Sequence, residues 1–434
     1  MTGRRQWSTF EYGYLVSKKD SGRVKDAVEL PPACFAWLEQ CCLNDDAEYD
    51  ARLLTLKTVG RVKVLQVKNY VGVIALPGGA FIEVLPKTGH DNAREQLMMM
   101  LRTLKTFRHI ATTSASIKTS RMPLMDIFIH QFIQSVQAVL LQGLKRDYLR
   151  QQENLPWMKG KLRVSAQLST NSVRRDRFQV EYDEYSVDRP ENRILKTAID
   201  TVSRLTRNPQ LIQQLRPLQS AFEGIPPVVD TAHAFDLVRL DRHMHHYEQA
   251  LEWAKLILHG ESPLCMQGHA DAISLLFPME AVFESFVAVW MRHHHHQRYQ
   301  IDTQAKTHTL ARYHTRYMFR LKPDIWLRPY DTSKHSSIIC DTKWKKIKPH
   351  KPGFNISQSD LYQMLAYGTK YLDSRGDMIL IYPQHDGFSD ALPHPFELHK
   401  PDSHALRLWI VPFTIGTSIQ SSILHLPESL KLRN

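Results

Sequence analysis

Asp341 and Lys343 stand two apart in the stretch 339–348, ICDTKWKKIK. The apolar pair Ile338–Ile339 ahead of them reads as a buried strand. Strand side chains alternate between faces, so this carboxylate and this ammonium point the same way. Both are costly to bury unless they pair or bind something charged. Upstream, Pro323–Asp324 introduces a second segment that can pair with the first as a hairpin. Singly, Asp324 fits a surface carboxylate near a turn, and Lys343 a side chain snorkelling from an edge strand. Together, two carboxylates and a lysine at one sheet edge suit phosphodiester hydrolysis with Mg²⁺. Hard oxygen ligands hold such a cation. It polarises the phosphate and lowers the pKa of an attacking water. The lysine orients that water and offsets charge in the transition state. Asp324 and Asp341 are therefore expected to share the ion.

The elements that must position this set give a multidomain α+β chain. Residues 1–90 read as a β-rich domain. RLLTLKTVGRVKVLQVKNYVGVIAL alternates apolar and polar positions, LPGGAF supplies a turn, and a short helix fits PPACFAWLEQCC. A small barrel or curled sheet is expected. Residues 91–265 read as mainly helical, with a β insertion at MKGKLRVSAQL. Ile127, Phe128, Phe132, Val136, Val139 and Leu140 make one apolar stripe. PENRILKTAIDTVSRL enters a helix at Asp188 or Arg189. Residues 266–434 read as an α/β domain. A helix opens at Pro278, strands follow in RYMFRLKPDIWLR and SSIICDTKWKKI, and a helix spans SQSDLYQMLAYGTKYL. DMILIYP and ALRLWIVPF complete the strands.

The composition narrows the function. The 434 residues carry a formal net charge of +12, which favours an anionic partner such as nucleic acid. Five cysteines without a C-x-x-C pair fit neither a disulfide framework nor a zinc ribbon, and suit a reducing cytoplasm. The first residues lack the apolar core of a signal peptide, and no apolar run is read as membrane-spanning, so no membrane partner is expected. No G-x-x-x-x-G-K-[ST] loop occurs, so nucleotide-driven work falls to another subunit.

Two further elements sharpen the site. DLYQMLAYG places Gln363 and Tyr367 four apart on one helical face. EAVFESFV places Glu284 on the preceding helix, with Glu280 one turn earlier as the competing acid. The ordered set resembles the PD-(D/E)-x-K nuclease superfamily and its RecB-like branch, with the Q-x-x-x-Y helix. NYVGVIAL, IEVLPK, LPWMKGKL, DEYSVDRPENRIL, MEAVFESFV, DTKWK and LYQMLAY narrow this to a resemblance to McrC, the nuclease subunits of 5-methylcytosine-specific restriction systems. It runs from about residue 60 to about residue 385. The resemblance implies a C-terminal nuclease domain in which Asp324, Asp341 and Glu284 hold Mg²⁺. Lys343, Gln363 and Tyr367 complete the catalytic set. It also implies a hexameric AAA+ GTPase partner, McrB, and double-stranded, modified DNA as substrate. Leu365 is expected in the core.

Lys345, Lys346, Lys348 and Lys351 fit a solvated loop or a phosphate-contacting rim. Trp344 and Cys340 alternate to the core side. His293–His296 read as an exposed helix end, since consecutive histidines fan around a helix. Lys87, Lys159 and Lys161 fit turns, or contacts with the GTPase ring. Three functions are compatible with the whole: an endonuclease subunit that also activates a GTPase, a stand-alone RecB-like repair nuclease, and a non-catalytic adaptor of an NTPase.

Overall fold

A computed structural model describes residues 6–43, 53–88, 92–104, 123–259, 275–398 and 406–430. Cys265, the expected boundary beside it and the end of the helix expected over residues 92–107 lie outside the described residues. The chain opens with β1 (Gln6–Phe10), β2 (Tyr14–Ser17), β3 (Val28–Leu30) and α1 (Pro32–Leu43). β4 (Leu54–Val59), β5 (Val62–Val67), β6 (Tyr70–Leu76) and β7 (Ala80–Leu85) follow. Gly60 and Arg61 both adopt positive φ, as a two-residue hairpin turn between twisted strands requires.

These strands form two sheets, β3-β2-β5-β4 and β1-β7-β6-β11, the last strand being Leu275–Pro278. Leu15, Leu65, Ile74 and Ile82 meet Phe35 and Leu38 of α1 in the shared core. β11 pairs antiparallel with β6. Gly72 sits at φ 127, and a Cβ there would lie 2.1 Å from the Leu275 carbonyl oxygen. Glycine is required because the β11 backbone passes so close. This sheet therefore unites segments on both sides of residue 265.

The middle region holds α2 (Ala93–Leu101), α3 (Leu124–Gln142), β8 (Asp147–Leu155), β9 (Lys161–Leu162), α4 (Val164–Thr170) and β10 (Phe178–Ser186). Then come α5 (Pro190–Leu205), α6 (Pro209–Ala221), α7 (Thr231–Asp236) and α8 (His245–His259). In the expected β insertion only Lys161 and Leu162 are strand; the chain turns helical from Val164. Gln167 explains the switch, since its side chain donates to Arg177 O at 2.8 Å and accepts from Gln179 N at 2.6 Å, occupying the edge of β10. The α3 stripe is buried as expected, with Phe128 against Trp253 at 6.0 Å. With 19 residues and mean hydropathy 1.4, α3 is long and apolar enough to cross a membrane by length and composition. That corrects the reading that no such run exists, and its packing into the core accounts for the composition.

The C-terminal part comprises α9 (Met279–His295), β12 (Tyr299–Thr303), β13 (Thr309–Tyr313), β14 (Arg316–Arg320), β15 (Ile325–Pro329) and β16 (Ile338–Thr342). α10 (Gln358–Tyr371), β17 (Gly376–Pro383), β18 (Phe396–Leu398), β19 (Leu406–Thr414) and β20 (Ile423–Leu424) complete it. The sheet order is β12-β15-β16-β17-β19-β18, with β20 beside β19. Its centre, β16-β17-β19, is parallel and covered on both faces. Cys340, Ile379, Ile381 and Val411 share a core with Phe283 and Phe286 of α9. Ile339, Met378, Leu380 and Ile410 share another with Met364 and Tyr371 of α10.

The single strand expected over RYMFRLKPDIWLR is two strands, because residues 321–324 carry the chain from a separate hairpin into the sheet and Pro323 has no N–H for a ladder. The histidine run also departs from expectation. His293 and His296 are exposed, but His295 is buried and His294 stacks on Trp290 at 4.3 Å. Burial, with His294 and Arg298 nearby, pushes His295 down to about 4, so it is neutral at physiological pH.

Candidate active site

β15 and β16 pair antiparallel with Ile325 opposite Cys340. Continuing that register puts Asp324 opposite Asp341, and such neighbours have Cβ atoms about 5 Å apart. The end of β16 fixes Asp324, because Thr342 donates from its N–H and from Oγ1 to Asp324 Oδ2, both at 2.8 Å. Asp341 is only 1% exposed. Its Oδ2 lies 2.5 Å from Lys343 Nζ and has no other donor among the described residues. Burial and then the Asp324 charge raise Asp341 to about 7, against the pull of Lys343. Burial and two Thr342 hydrogen bonds act oppositely on Asp324, and burial prevails, raising it. Burial pulls Lys343 down, but Asp341 and Asp324 overcome this and hold its ammonium above the ordinary value.

The helix α10 supplies the orientation of Lys343. Ser357 caps it by accepting from Asp360 N at 3.2 Å. Lys343 Nζ donates to Gln363 Oε1 at 3.0 Å. Gln363 Nε2 donates to Tyr367 Oη at 2.8 Å, and that hydroxyl donates to Lys322 O at 2.9 Å. The amide oxygen is thereby turned toward the lysine. Tyr367 is 4% exposed, so its ring belongs to the core while its hydroxyl belongs to the site. Burial raises that hydroxyl to about 12, so it stays a donor. Leu365, expected in the core, is 40% exposed. Two residues advance about 200° around a helix, so aiming Gln363 at the sheet turns Leu365 outward.

Glu284 on α9 is partly buried, and its Oε1 accepts from Gln304 Nε2 at 2.5 Å. Burial and then Asp324 raise it to about 7. Glu280 is exposed, and its charge reaches Asp324 and Glu11. Among the described residues no three His, Cys, Asp or Glu side chains converge into a ready cation cage. The two aspartates are thus opposed across the ladder, while Glu284 is held by Gln304.

Other contacts had no local trace in the sequence. Asp360 is buried and pairs with Lys345 at 3.1 Å, leaving Lys346, Lys348 and Lys351 exposed. Trp344 and Cys340 are buried, as the alternation implied. The Trp344 indole donates to Glu11 of the segment after β1, at 2.9 and 2.8 Å. Lys87 points inward, donating to Trp344 O at 3.2 Å. Lys159 lies over the Tyr182 ring at 3.7 Å.

On the nuclease activity expected from the sequence, the relay predicts that Gln363→Ala and Tyr367→Phe each slow DNA cleavage by about tenfold or more, the scale of losing a hydrogen bond to a charged group. Single-turnover rates check this; wild-type rates in both variants would remove α10 from the site.

A family profile described as "McrBC 5-methylcytosine restriction system component" matches residues 65–383, which hold all the site residues named above except Glu11. No curated protein matches this chain. Among solved structures, a chain of the refined half-complex from the tetradecameric assembly of Thermococcus gammatolerans McrB AAA+ hexamers with bound McrC is similar. It is 18% identical over 94% of each chain, with a TM-score of 0.63, a likeness of fold. A chain in the cryo-EM structure of the Thermococcus gammatolerans McrBC complex is 20% identical, covering 65% of this chain and 85% of that one, with a TM-score of 0.47. The profile covers well over half of the sequence, and the chain belongs to the McrBC 5-methylcytosine restriction system component family.

Proposed function

We propose that this chain is the McrC-type subunit of a GTP-driven, modification-dependent restriction complex. In this reading it is a Mg²⁺-dependent endonuclease of PD-(D/E)-x-K type that docks on, and activates, a McrB-like AAA+ GTPase. The observation that carries the reading is the buried Asp341–Lys343 pair, opposed by Asp324 and oriented through Gln363 and Tyr367. A purely structural pair would have no need for that relay. The donor set suits a hard cation: among the described residues Asp341 Oδ2 has no donor besides Lys343, and Asp324 offers a second carboxylate. Mg²⁺ bound there would polarise the scissile phosphate and acidify an attacking water.

The protein groups would divide the remaining work. Asp324, fixed by Thr342, and Asp341 would hold the cation. Lys343, kept charged, would orient the nucleophile and offset negative charge on the phosphate. Glu284, near neutrality and beside Asp324, is placed to take up or release a proton. For partner docking, the sheet β8-β10-β9 presents exposed Tyr148 and Tyr185 and its β8–β9 connection presents exposed Trp157 and Met158, a surface suited to a protein interface. The solved relative has McrC bound to McrB hexamers, which supports such a partner here. The test is cleavage of methylated and unmethylated duplex by this chain with its GTPase, with and without Mg²⁺. Cleavage without the GTPase would favour the stand-alone nuclease, and stimulation of GTP hydrolysis without any cleavage would favour the adaptor.

Metal binding also predicts a pH dependence. Asp341 and Glu284 titrate near 7, so below that pH protons compete with a cation. Because both are raised, they favour the metal-free fold when protonated. That contribution is full below the ordinary carboxylate range and is lost as pH rises through about 7. Mg²⁺ is expected to raise the melting temperature by a few degrees at about pH 8 and scarcely at about pH 5.5. The effect should vanish in Asp324→Asn. An equal shift at both pH values would place the ion elsewhere.

A further inference from the structure

The hairpin β13–β14 lies outside the main sheet, and among the described residues its two strands pair only with each other. Residues 311–320 are exposed without a break. An isolated two-stranded hairpin buries too little to be stable alone, yet this one is anchored firmly at its base. Tyr371 of α10 donates to Ala305 O at 2.8 Å and to Leu321 O at 3.2 Å. His308 packs on the Tyr371 ring at 4.4 Å, and Tyr367 holds Lys322 O. The helix that orients Lys343 therefore also fixes the root of the hairpin, and the strand leaving the hairpin leads directly to Asp324.

The content of the hairpin is one-sided. Residues 303–323 contain Lys306, Arg312, Arg316, Arg320 and Lys322 and no Asp or Glu. Among the described residues, no carboxylate forms a salt bridge with the three arginines. Tyr313, Tyr317 and Phe319 are 76%, 71% and 68% exposed, far more than large apolar rings need to be. Arg312 lies over the Tyr317 ring at 5.5 Å and donates to His314 O, which stiffens the tip. Phe319 has φ 58, an outlier for a bulky residue, and its flip interrupts the ladder between the Thr309–Arg320 and Ala311–Met318 pairs.

We infer that this hairpin is a grip for double-stranded DNA, laying Arg312, Arg316 and Arg320 on phosphates of the duplex that is cut at Asp324 and Asp341. A two-stranded ribbon fits the major groove, and cations interleaved with rings suit a polyanion with apolar base edges. The inference rests on the nuclease reading for its orientation, and its test is separable from that reading.

The experiment uses the full chain in EDTA with a fluorescent unmodified duplex of about 30 base pairs. In Arg312→Gln/Arg316→Gln/Arg320→Gln, the dissociation constant should rise at least about tenfold. The slope of log affinity against log salt should flatten by about 2 to 3, the release expected for three phosphate contacts. Tyr313→Ser/Tyr317→Ser should weaken binding with little change in that slope. Because these side chains are exposed, folding should be unaffected, and the melting temperature verifies it. Unchanged affinity and slope in the arginine variant would overturn the proposal. So would lost stimulation of the partner GTPase with intact DNA binding, which would make the hairpin a protein contact. Hairpin-dependent binding by a chain that never cuts in Mg²⁺ would keep the grip and sink the nuclease reading. Cutting by a chain whose DNA affinity ignores the hairpin would do the reverse.

Discussion

Asp341→Asn is expected to lower DNA cleavage by about a thousandfold or more, the several kcal/mol that a metal-held carboxylate supplies to such a transition state. The substitution keeps shape and removes only charge, so GTP hydrolysis by the partner should still be stimulated as by the wild type. Asp341 is 1% exposed, and its charge is balanced by Lys343. Loss of that charge frees Lys343 and, in the proposed reading, removes a cation ligand at the same time. The stability of the metal-free protein provides a second readout with a definite sign. In the wild type, the raised Asp341 stabilises the fold while protonated, and that contribution is lost as pH rises from about 4 through about 7. Asparagine does not titrate, so the variant should lose less stability than the wild type over that interval. The Asp324 and Asp341 charges interact, so losing the Asp341 charge also lowers Asp324 toward its ordinary range, which reduces the variant's loss further in the same direction. Near-normal cleavage by Asp341→Asn would end the nuclease reading, whatever happened to stability.

A point substitution separates cutting from docking better than truncation does. β11 completes a sheet with β6, and one continuous core runs from Val71 to Leu430. A fragment ending near residue 265 would lose β11 and expose the β6 edge, so its failure to bind a partner would report unfolding as readily as function.

Parts of this organisation were legible because they follow short periods. The period of two placed Cys340 and Trp344 opposite to Asp341 and Lys343, and spacing of four aligned Gln363 with Tyr367. Pro278 and Ser357 marked the starts of α9 and α10. What could not be read were contacts between distant segments. Glu11 and Trp344 are separated by 333 residues, and neither sequence neighbourhood signals the other. Gln304 became a partner of Glu284 only through the β12–β15 register. Composition also misled where one side chain outweighed its neighbours. The four histidines look alike in sequence, yet helix geometry turns only His295 into the core. Residues 158–168 promised a strand until Gln167 took the backbone groups a strand would have used.

Trp344→Ala should produce the largest loss of stability at any single position near the site, about 3–5 kcal/mol by the usual scale for emptying a buried aromatic site. Trp344 is 2% exposed and packs on Phe283 at 5.1 Å, so its removal opens a cavity between α9 and the sheet. It also takes the indole donor from Glu11, a buried carboxylate whose oxygens both accept from it, so that Oε2 keeps the Lys87 N–H at 3.2 Å while Oε1 loses its donor. Burial already raises Glu11 to about 7 despite Lys87, so losing the indole leaves it still harder to ionise. Trp344→Phe separates these two effects. Its ring keeps most of the packing but offers no N–H, and leaving a buried acceptor unpaired costs about 1–3 kcal/mol. The phenylalanine variant should therefore fall between alanine and wild type in chemical denaturation. Its deficit should shrink as pH drops below 7, where Glu11 becomes protonated and no longer needs a donor so strongly. Cleavage should fall in both variants, since Trp344 adjoins Lys343 and its carbonyl is held by Lys87 from the sheet of β1 and β7. Wild-type stability in Trp344→Phe would show that the Glu11 bond contributes nothing, leaving packing and the Lys87 bond to the residue-344 carbonyl to join the N-terminal sheets to the site.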